Sequence, residues 1–504
     1  MLYKKIELHN NHFPDKVAVI DKDKHYKYSE LWADIRVFAG WIDRNLEAGS
    51  RIGIMLNNSY ETIISLYAIT MTGRVCVPLD TDITPRNLQY IVNDCGIKLI
   101  IASRINGNRL KTDESQIQFL APTLDDDYTS IRKILHNSTS LFKPGDKPED
   151  TLTLAAILYT TGTTGPQKGV MLSIGNLLAA TENINQFMNI DSWAVESLPM
   201  RLSHSFGFAR LRSVLAVGGT VILEDGFLQP AKILENMSRY SANAISSVPA
   251  GFSILLDYFE KQFGNLGKNI RYIEIGSAPM QIKYKEKLMS LCPEARICSH
   301  YGLTEASRST FIEFHSDKNQ LNTVGKASPN VKIKIINEDG TSCAPKDTGE
   351  IAVFGHMVSH GYWNKPELTK ETFQNGWVKT GDLGYIDNDG YVFLLGRIGD
   401  IINIGGLKVA PTEVEHIISA LNGVGEVAAV GIASEDDITS ESITAFIVKS
   451  DENLTIDKLQ KYCIENLEPY KIPSRFVFLK EIPKTGSGKI QRQLLKHNPA
   501  VSLR

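Results

Sequence analysis

The chain has 504 residues, of which 42% are hydrophobic and 22% are charged, as in an ordinary soluble globular protein. Its length exceeds the size at which one hydrophobic core stops growing, so we expect two or more domains. The 54 basic and 57 acidic residues give a formal net charge of −3, which lacks the basic excess of a nucleic-acid-binding protein. We therefore expect no nucleic-acid partner.

The six cysteines lie far apart and include no Cys-x-x-Cys pair, which disfavours both a zinc site and a disulfide framework. We expect all six to be reduced thiols. The first ten residues lack the apolar core of a signal peptide, and no stretch approaches about eighteen consecutive apolar residues. These features predict a cytoplasmic enzyme without integral membrane association.

The first 390 residues alternate short apolar runs with amphipathic stretches of helical length. Residues 51–56 and 75–78 are apolar, and the amphipathic stretch 59–71 lies between them. The same pattern recurs at the apolar runs 220–223, 244–248 and 272–275. Strands that alternate with helices indicate α/β layers with buried strands.

A loop rich in glycine and threonine occupies residues 159–169, directly after the apolar stretch 152–158. Glycine lets backbone N–H groups converge on an anion, hydroxyls add donors, and Lys168 adds a point charge. This composition favours a polyphosphate site, and a threonine-rich surface turn is the alternative. The spacing differs from a Walker loop, because Gln167 stands where a glycine precedes the lysine. An ordinary P-loop ATPase or kinase is therefore disfavoured.

The pattern changes around residues 390–406, where a strand-like run at 391–395 leads into closely spaced glycines. Glycines between two short strands predict a hinge. Pro411 then opens a helix, consistent with proline at a first helical position. The later predicted elements are strands at 426–432, 443–448 and 475–479 and a helix at 455–467. Together they predict a small α+β domain.

Further segments accompany the loop at 159–169 along nearly the whole chain. They are Phe13 to Ala18, Ile275 to Pro279, Tyr301 to Glu305, Gly349 to Ile351, Gly361 to Asn364, Thr380 to Asp382 and Pro483 to Ile490. In order and spacing, the chain resembles the adenylate-forming superfamily of acyl-CoA synthetases (AMP-dependent ligases), adenylation domains and luciferases. The resemblance implies an α/β fold with a large multi-layer AMP-binding N-terminal domain of buried sheets and helices at 1–396. A hinge at 397–400 and a small mobile α+β C-terminal domain at 401–504 would follow.

The resemblance also assigns the nucleotide's contacts. Tyr301 is expected against the adenine with Gly302 beside it, Thr304 at the α-phosphate, and Glu305 at Mg²⁺. A carboxylate near phosphates fits this role, since a hard cation must separate the negative charges. A strand end followed by a helix cap is the alternative for this segment. The residues expected to orient the β- and γ-phosphates are Thr160, Thr161, Gly162, Thr163, Thr164, Gly165 and Lys168.

Two more segments complete the implied nucleotide site. Asp382 resembles the carboxylate that accepts the ribose hydroxyls, and Arg397 would join it on the ribose. An Asx-type turn is the alternative for Asp382. Gly276, Ser277 and Ala278 resemble a small-residue strand end beside the adenine and the acyl pocket, where flat groups approach the backbone. A simple strand terminus is their alternative.

The C-terminal domain is expected to contribute different groups to two half-reactions. Lys489 resembles the lysine that touches the substrate carboxylate and a ribose-side oxygen during adenylation, and a solvated charge is the alternative. The resemblance implies that this domain then rotates about Gly399, where many relatives have aspartate or lysine. After rotation Gly405, Gly406 and Lys408 would face the thiol channel. Lys408 would meet a phosphate of coenzyme A or lie in solvent.

His204 resembles the histidine of a family motif near the carboxylate pocket, although it lies further from Pro199 than in relatives. We interpret it as a gate or pocket wall, and a purely structural histidine is the alternative. No acidic residue occurs between positions 199 and 217, which favours a plain carboxylic acid over an α-amino acid. Arg210 and Arg212 would meet a second carboxylate of the substrate or lie on the surface or a helix face.

These features predict an ATP-dependent, AMP-forming carboxylic acid:CoA ligase that uses ATP, Mg²⁺ and coenzyme A in fatty or aromatic acid metabolism. The alternative is a stand-alone adenylation enzyme that loads an acyl or aminoacyl group onto the phosphopantetheine of an acyl or peptidyl carrier protein. Light emission without added coenzyme A would mark a luciferase-like oxygenase. A non-catalytic nucleotide-binding protein is disfavoured by the presence of Lys168, Glu305, Asp382, Arg397 and Lys489.

Overall fold

The structure is a computed structural model in which strands and helices alternate along the chain. It describes residues 2–103, 118–122, 130–138, 141–145, 150–160, 167–404, 407–433, 441–485 and 489–498. Within these ranges the strands are β1 (Val17–Asp21), β2 (Lys24–Lys27), β3 (Arg51–Met55), β4 (Val75–Pro78), β5 (Ile97–Ala102), β6 (Gln118–Leu120), β7 (Leu154–Thr160), β8 (Lys168–Ser173), β9 (Val195–Leu198), β10 (Thr220–Leu223), β11 (Ala244–Ser247), β12 (Tyr272–Ile275), β13 (Arg296–Leu303), β14 (Ala306–Glu313), β15 (Lys326–Ala327), β16 (Lys332–Ile336), β17 (Gly349–Phe354), β18 (Phe373–Gln374), β19 (Trp377–Ile386), β20 (Val392–Arg397), β21 (Ile402–Ile404), β22 (Leu407–Val409), β23 (Val424–Ala433), β24 (Glu441–Lys449) and β25 (Arg475–Phe478). The α-helices are α1 (Leu2–His12), α2 (Tyr28–Asn45), α3 (Tyr60–Met71), α4 (Pro85–Cys95), α5 (Ile131–Asn137), α6 (Ile174–Met188), α7 (Ser205–Ala216), α8 (Pro230–Arg239), α9 (Pro249–Tyr258), α10 (Glu260–Gly267), α11 (Ile282–Leu291), α12 (Pro366–Thr372), α13 (Pro411–Ser419), α14 (Ile456–Asn466) and α15 (Arg492–Lys496).

Two mixed sheets with helices between them form the larger, N-terminal part. The nine-stranded sheet has the order β15-β14-β13-β12-β11-β9-β10-β1-β2, and the six-stranded sheet has the order β6-β5-β3-β4-β7-β8. One hydrophobic core joins Ile52 of β3, Val221 of β10 and Leu211 of α7, so α7 lies between the sheets with α2 and α3. Every residue of α3 is buried, as in a helix enclosed on all sides. The predicted α/β class is confirmed.

Local sequence signals place the boundaries of these elements. The Ser59 side chain accepts a hydrogen bond from the backbone N–H of Thr62, which begins α3. Thr84 caps α4 in the same way, and Gly96 ends that helix with a left-handed φ of 61°. The strands predicted at 51–56, 75–78, 220–223, 244–248 and 272–275 are confirmed as β3, β4, β10, β11 and β12.

A third sheet and a smaller C-terminal part complete the fold. The third sheet has the order β16-β17-β19-β18, with β20 paired to β19. Beyond it a turn of 3₁₀-helix at Ile398–Asp400 leads to the hairpin β21–β22 and the three-stranded sheet β23-β24-β25. Helices α13 and α14 share a core with these strands. The smaller part is therefore α+β, as predicted.

The domain limits at 396 and 401 and the hinge at 397–400 stay predictions. Gly399 lies in the 3₁₀ turn without a left-handed φ, and an added Cβ would meet nothing within 4 Å. In this arrangement neither the backbone nor the packing requires glycine at that position.

An ion cluster is buried beside the nine-stranded sheet. The Arg210 Nε atom of α7 donates to Glu196 of β9 over 3.0 Å, and its Nη1 atom lies 3.0 Å from Glu274 Oε2 of β12. Arg308 of β14 reaches the other Glu274 oxygen over 3.0 Å, and Tyr272 donates to Glu196 over 2.7 Å. All four charged side chains are at most 2% exposed. Two arginines and two glutamates therefore leave the buried cluster without net charge.

The interior position of both helix α7 arginines corrects a prediction. Placement of Arg210 and Arg212 on the surface or an open helix face is wrong, because α7 is enclosed between two sheets. Arg210 is neutralised by the protein's own carboxylates. Arg212 stacks on Phe208 with its guanidinium carbon 4.2 Å from the ring centroid, and burial lowers its pKa to about 9.

We predict that Arg210→Ala lowers the free energy of unfolding by about 3–5 kcal/mol, because two buried carboxylates lose a neutralising partner. Equilibrium urea unfolding measures this change. Arg239→Ala is the matched control, since Arg239 pairs with Asp23 on the surface and is 51% exposed. The control should lose far less, because solvent screens an exposed ion pair. Equal losses in the two variants would contradict the structural role of the buried cluster.

Candidate active site

A cleft of about 4490 Å³ opens at the carboxyl ends of β11, β12 and β13 and extends to the C-terminal part. Ligands of open α/β sheets bind at such strand ends. The cleft brings together residues that are widely separated in sequence. Its lining includes Thr160, Lys168, His204, Ser277, Ala278, Tyr301, Gly302, Thr304, Glu305, Asp382, Arg397 and Lys489.

The glycine- and threonine-rich loop joins the antiparallel strands β7 and β8. Thr160 and Lys168 are direct partners in that pairing, so both ends of the loop stand at the cleft. Lys168 Nζ lies 5.3 Å from the ring centroid of Tyr362, which is bridged to β8 through Val170. The structure thus places a lysine charge at the cleft wall. Thr161, Gly162, Thr163, Thr164 and Gly165 lie outside the described residues.

Thr304 and Glu305 form the turn between β13 and β14, with Leu303 paired to Ala306. A strand follows this turn, so the alternative of a helix cap is wrong. Tyr362 donates its hydroxyl hydrogen to Glu305 Oε1 over 2.8 Å. The same tyrosine ring is the one whose centroid lies 5.3 Å from Lys168 Nζ. Tyr362 therefore connects the lysine and the carboxylate, a role that the sequence did not reveal.

A compact polar triangle lies at the base of the β19–β20 hairpin. Asp382 Oδ2 accepts a hydrogen bond of 2.6 Å from the Tyr301 hydroxyl, and Asp382 Oδ1 lies 2.8 Å from Arg397 Nε. Asp382 and Arg397 are direct partners in the strand pairing, which explains their proximity. Burial raises the pKa of Asp382, while Arg397 and the Tyr301 hydrogen bond oppose this effect.

Lys489 enters the same cleft from the C-terminal part. A bridge between Lys484 and Ile490 and a 2.8 Å hydrogen bond from Thr485 N to Lys489 O hold the backbone of its loop. Desolvation by the cleft walls and repulsion by Arg397 lower the pKa of Lys489, whereas Asp382 acts in the opposite direction. Lys489 is nevertheless exposed to solvent, because the cleft that surrounds its side chain is open. Lys489 and Arg397 thus place two positive charges beside one carboxylate.

The small-residue segment at 276–278 follows β12 as predicted, and a side chain of the protein already occupies the space on one side of Gly276. A Cβ at Gly276 would come within 2.1 Å of the His300 ring, so that ring packs directly on the Gly276 backbone. Ser277 takes a left-handed φ of 73°, which turns the chain sharply after the strand. On this side of Gly276, therefore, the protein's own imidazole occupies the space expected for a flat ligand group.

His204 lies immediately before α7 on the cleft wall. Its Nε2 atom is 3.2 Å from Asp80 Oδ2, and Arg201 binds both Asp80 and Asp82, the latter over 2.6 Å. Partial burial raises the pKa of Asp80, but the His204 hydrogen bond and Arg201 outweigh it and lower the value to about 2. Asp80 follows β4 and had no sequence signal that linked it to His204.

Gly406 and Lys408 are the remaining predicted positions. Gly406 is outside the described residues. The backbone of Lys408 pairs with Asn403 in the β21–β22 hairpin, and its side chain is outside the described part. Within the described ranges, no three His, Cys, Asp or Glu side chains are grouped as a metal site. None of the described helices has the length and apolar character needed to cross a bilayer.

Comparison with known families covers both parts of the chain. The sequence model of the family described as AMP-binding enzyme matches residues 6–363, and that of the AMP-binding enzyme C-terminal domain matches residues 413–489. A long-chain-fatty-acid–CoA ligase of Bacillus subtilis (strain 168) is 30% identical, over 96% of this chain and 92% of its own. A 2-succinylbenzoate–CoA ligase of Bacillus velezensis is also 30% identical, over 96% and 95%.

Solved structures share the whole architecture. ATP-bound MatB from Rhodopseudomonas palustris has a TM-score of 0.88 at 28% identity and covers 98% of both chains. The O-succinylbenzoate coenzyme A synthetase of Bacillus subtilis, in complex with ATP and magnesium ion, has a TM-score of 0.85 at 25% identity. That match covers 98% of this chain and 99% of the synthetase.

We predict a pH-dependent contribution of Asp80 to stability. Its folded pKa of about 2 lies below the ordinary value of 3.8, so its stabilisation is complete above the unfolded pKa and is lost as the pH falls toward 2. Asp80→Asn should therefore lower the free energy of unfolding at about pH 5, and this difference from wild type should become smaller as the pH falls to about 2. Urea titrations at each pH measure it. Arg201→Ala should move this window to higher pH. A difference that is constant over the whole range would contradict the assigned ion pair.

Proposed function

Because this chain belongs to the family of AMP-binding enzymes, we propose that it joins a carboxylic acid to coenzyme A through an acyl-adenylate. It is an AMP-forming acid–thiol ligase, as are the relatives that it matches over nearly their full length. The observation that carries the proposal for the site is the convergence of Glu305, Asp382, Arg397 and Lys489 on one cleft. These residues come from a turn, a hairpin and a C-terminal loop.

Two displacements account for the overall reaction. In the first, a carboxylate oxygen of the acid bonds to the α-phosphorus of ATP, and the bond to the bridging oxygen of pyrophosphate breaks. In the second, the thiol of coenzyme A loses its proton and bonds to the acyl carbon, and AMP leaves with both electrons of the acyl–oxygen bond. ATP thereby replaces an oxide, which is a poor leaving group, by AMP.

The polar triangle suits the sugar of the nucleotide. The Asp382 carboxylate has about four acceptor positions, and Tyr301 and Arg397 each occupy one of them in this structure. The remaining positions are available to the two ribose hydroxyls. Arg397 is 44% exposed, so its guanidinium is also accessible from the cleft. We assign Tyr301 and Gly302 to the adenine side of this site.

Cations around the cleft suit the triphosphate and the attacking carboxylate. Two anions must approach each other in the first step, and fixed positive charges that are already in place lower this barrier. Lys168 stands at the base of the glycine- and threonine-rich loop, where the β- and γ-phosphates are assigned. Lys489 is assigned to the carboxylate and Thr304 to the α-phosphate. Desolvation by the cleft walls and, after it, repulsion by Arg397 lower the pKa of Lys489, and an anionic substrate beside the ammonium group would favour its charged form.

The residues present fit one Mg²⁺ ion held jointly with the nucleotide. Mg²⁺ is commonly held by one or two carboxylates together with substrate phosphates, so Glu305 suffices on the protein side. When bound, the ion supplies positive charge to the phosphate oxygens. The Tyr362 hydroxyl fixes one oxygen of Glu305 and so orients the carboxylate for this role.

The thioester step is assigned to a second arrangement of the C-terminal part, reached by rotation at 397–400. The backbone between β20 and β21 is short and contains Gly399, which suits a pivot. Gly406 and Lys408 are assigned to the thiol channel in that arrangement. His204 is assigned to the pocket wall, where Asp80 holds its ring. Coenzyme A is the proposed acceptor because the relatives are CoA ligases, and a carrier-protein phosphopantetheine is the competing acceptor.

A substrate panel tests the function. Pyrophosphate release from ATP and Mg²⁺ is measured with fatty, aromatic and amino acids, and products formed with coenzyme A or a holo-carrier protein are identified by mass spectrometry. We expect an acid-dependent release of pyrophosphate and an acyl-CoA product. Acylation of the carrier protein alone would replace coenzyme A as the acceptor. If no acid stimulates pyrophosphate release, the proposed activity is wrong.

We predict that Lys489→Ala slows acid-dependent pyrophosphate release by about 10²–10³-fold, by analogy with the loss of one stabilising donor in a transition state. Thioester formation from a supplied acyl-adenylate should be largely retained, because Lys489 is assigned to the first step only. Lys480→Ala is the control, since Lys480 is exposed and outside the cleft lining. An equal loss of both half-reactions would contradict the assignment of adenylation and thioester formation to two different arrangements of the C-terminal part.

A further inference from the structure

One wall of the cleft ends at an aromatic barrier. His300 directly precedes Tyr301 on β13, and its side chain is only 8% exposed while it lines the cleft. The ring packs on Gly276 and meets Phe206 edge to face, with centroids 4.9 Å apart. Phe206 lies in α7 and is 4% exposed. Together the two rings close the cleft between the end of β12 and the start of α7.

The barrier is held from behind by the buried ion cluster. His300 Nδ1 lies 2.7 Å from Glu274 Oε1, which also binds Arg308 over 3.0 Å. The Arg308 guanidinium carbon is 4.9 Å from the centroid of the Phe206 ring. A ligand that displaced either ring would disturb charges that are fully buried, and uncompensated buried charge is strongly unfavourable. Neither ring is free to swing aside as a surface side chain would.

Dense packing continues behind the barrier. The ring of Phe311 lies 6.0 Å from that of His300 and stacks on Phe187 with centroids 4.4 Å apart. These aromatic rings and the ion cluster occupy the interior beyond Gly276. A narrow channel for a long hydrocarbon therefore has no path in this direction through the described residues.

We propose that His300, backed by Glu274, ends the acyl pocket and restricts the enzyme to compact carboxylic acids. This inference depends on the proposed function, since it concerns the acid that is activated. Several relatives are named long-chain-fatty-acid–CoA ligases, so the inference separates this chain from them in substrate class. His300 acts through the size of its ring, because the end of the acyl group packs against it.

The test compares acids of increasing length in wild type and in a variant with the barrier removed. Acetic, butyric, hexanoic, dodecanoic and hexadecanoic acids are assayed for kcat/KM in pyrophosphate release. The wild type should prefer the shorter acids by about 10-fold or more, since each methylene group that a pocket rejects is worth about 10–200-fold. His300→Ala should shift the optimum to longer acids by a similar factor. Phe206→Ala opens the same wall without removing the Glu274 contact and should shift it in the same direction.

His12→Ala is the matched control, because His12 is exposed on α1 and should leave the length preference unchanged. Thermal melting of each variant separates a changed pocket from a changed fold. A wild type that prefers dodecanoic or hexadecanoic acid would overturn this inference and leave the ligase function standing. Unchanged length preferences in both folded variants would also overturn it. Absence of acid-dependent turnover at every length and with the aromatic acids would instead refute the proposed function.

Discussion

The carboxylate of Glu274 is the point on which the geometry of the nine-stranded sheet and the cleft depends. It is completely buried and close to Arg210 of α7, Arg308 of β14 and His300 of β13. Burial raises the pKa of such a group, but the surrounding positive charges prevail and keep the pKa of Glu274 well below its usual range. One ionised side chain of β12 therefore joins a helix between the sheets to the strands β13 and β14. Since an ion pair fixes direction as well as distance, the cluster also orients the ring that faces the cleft.

The candidate site is assembled from segments that are remote in sequence, and each is held by its own local structure. Strand pairing sets Lys168 opposite Thr160 and Asp382 opposite Arg397. A two-residue turn presents Glu305, which Tyr362 orients from a position 57 residues away. Such support by rigid strands limits the freedom of the polar groups before any substrate arrives. The electrostatic stabilisation assigned to the site requires this preorganisation.

Much of the fold and the motif positions could be predicted from the sequence. Alternation of apolar and amphipathic runs located β3, α3, β4 and β10 because strand and helix periodicities are local properties. The helix-cap alternative for the segment Tyr301 to Glu305 was wrong, since a turn and a helix start use the same residue types. The link between His204 and Asp80 was not predictable, because 124 residues separate them and neither has a local pattern. The hydrogen bond from Tyr362 to Glu305 was not predictable either, because 57 residues separate the two.

The sequence by itself determined the α/β class, the order of the elements, the family resemblance and the reaction type. These properties follow from periodicity and from chemically specific side chains at set spacings. Only the tertiary structure decided that Arg210 is an interior charge, that His300 fills the space beside Gly276, and that Asp80 holds His204. Each of these outcomes depends on which distant groups meet in a low-dielectric interior. Burial and ion pairing therefore depend on residues that are distant in the chain, and a residue's neighbours in sequence do not encode them.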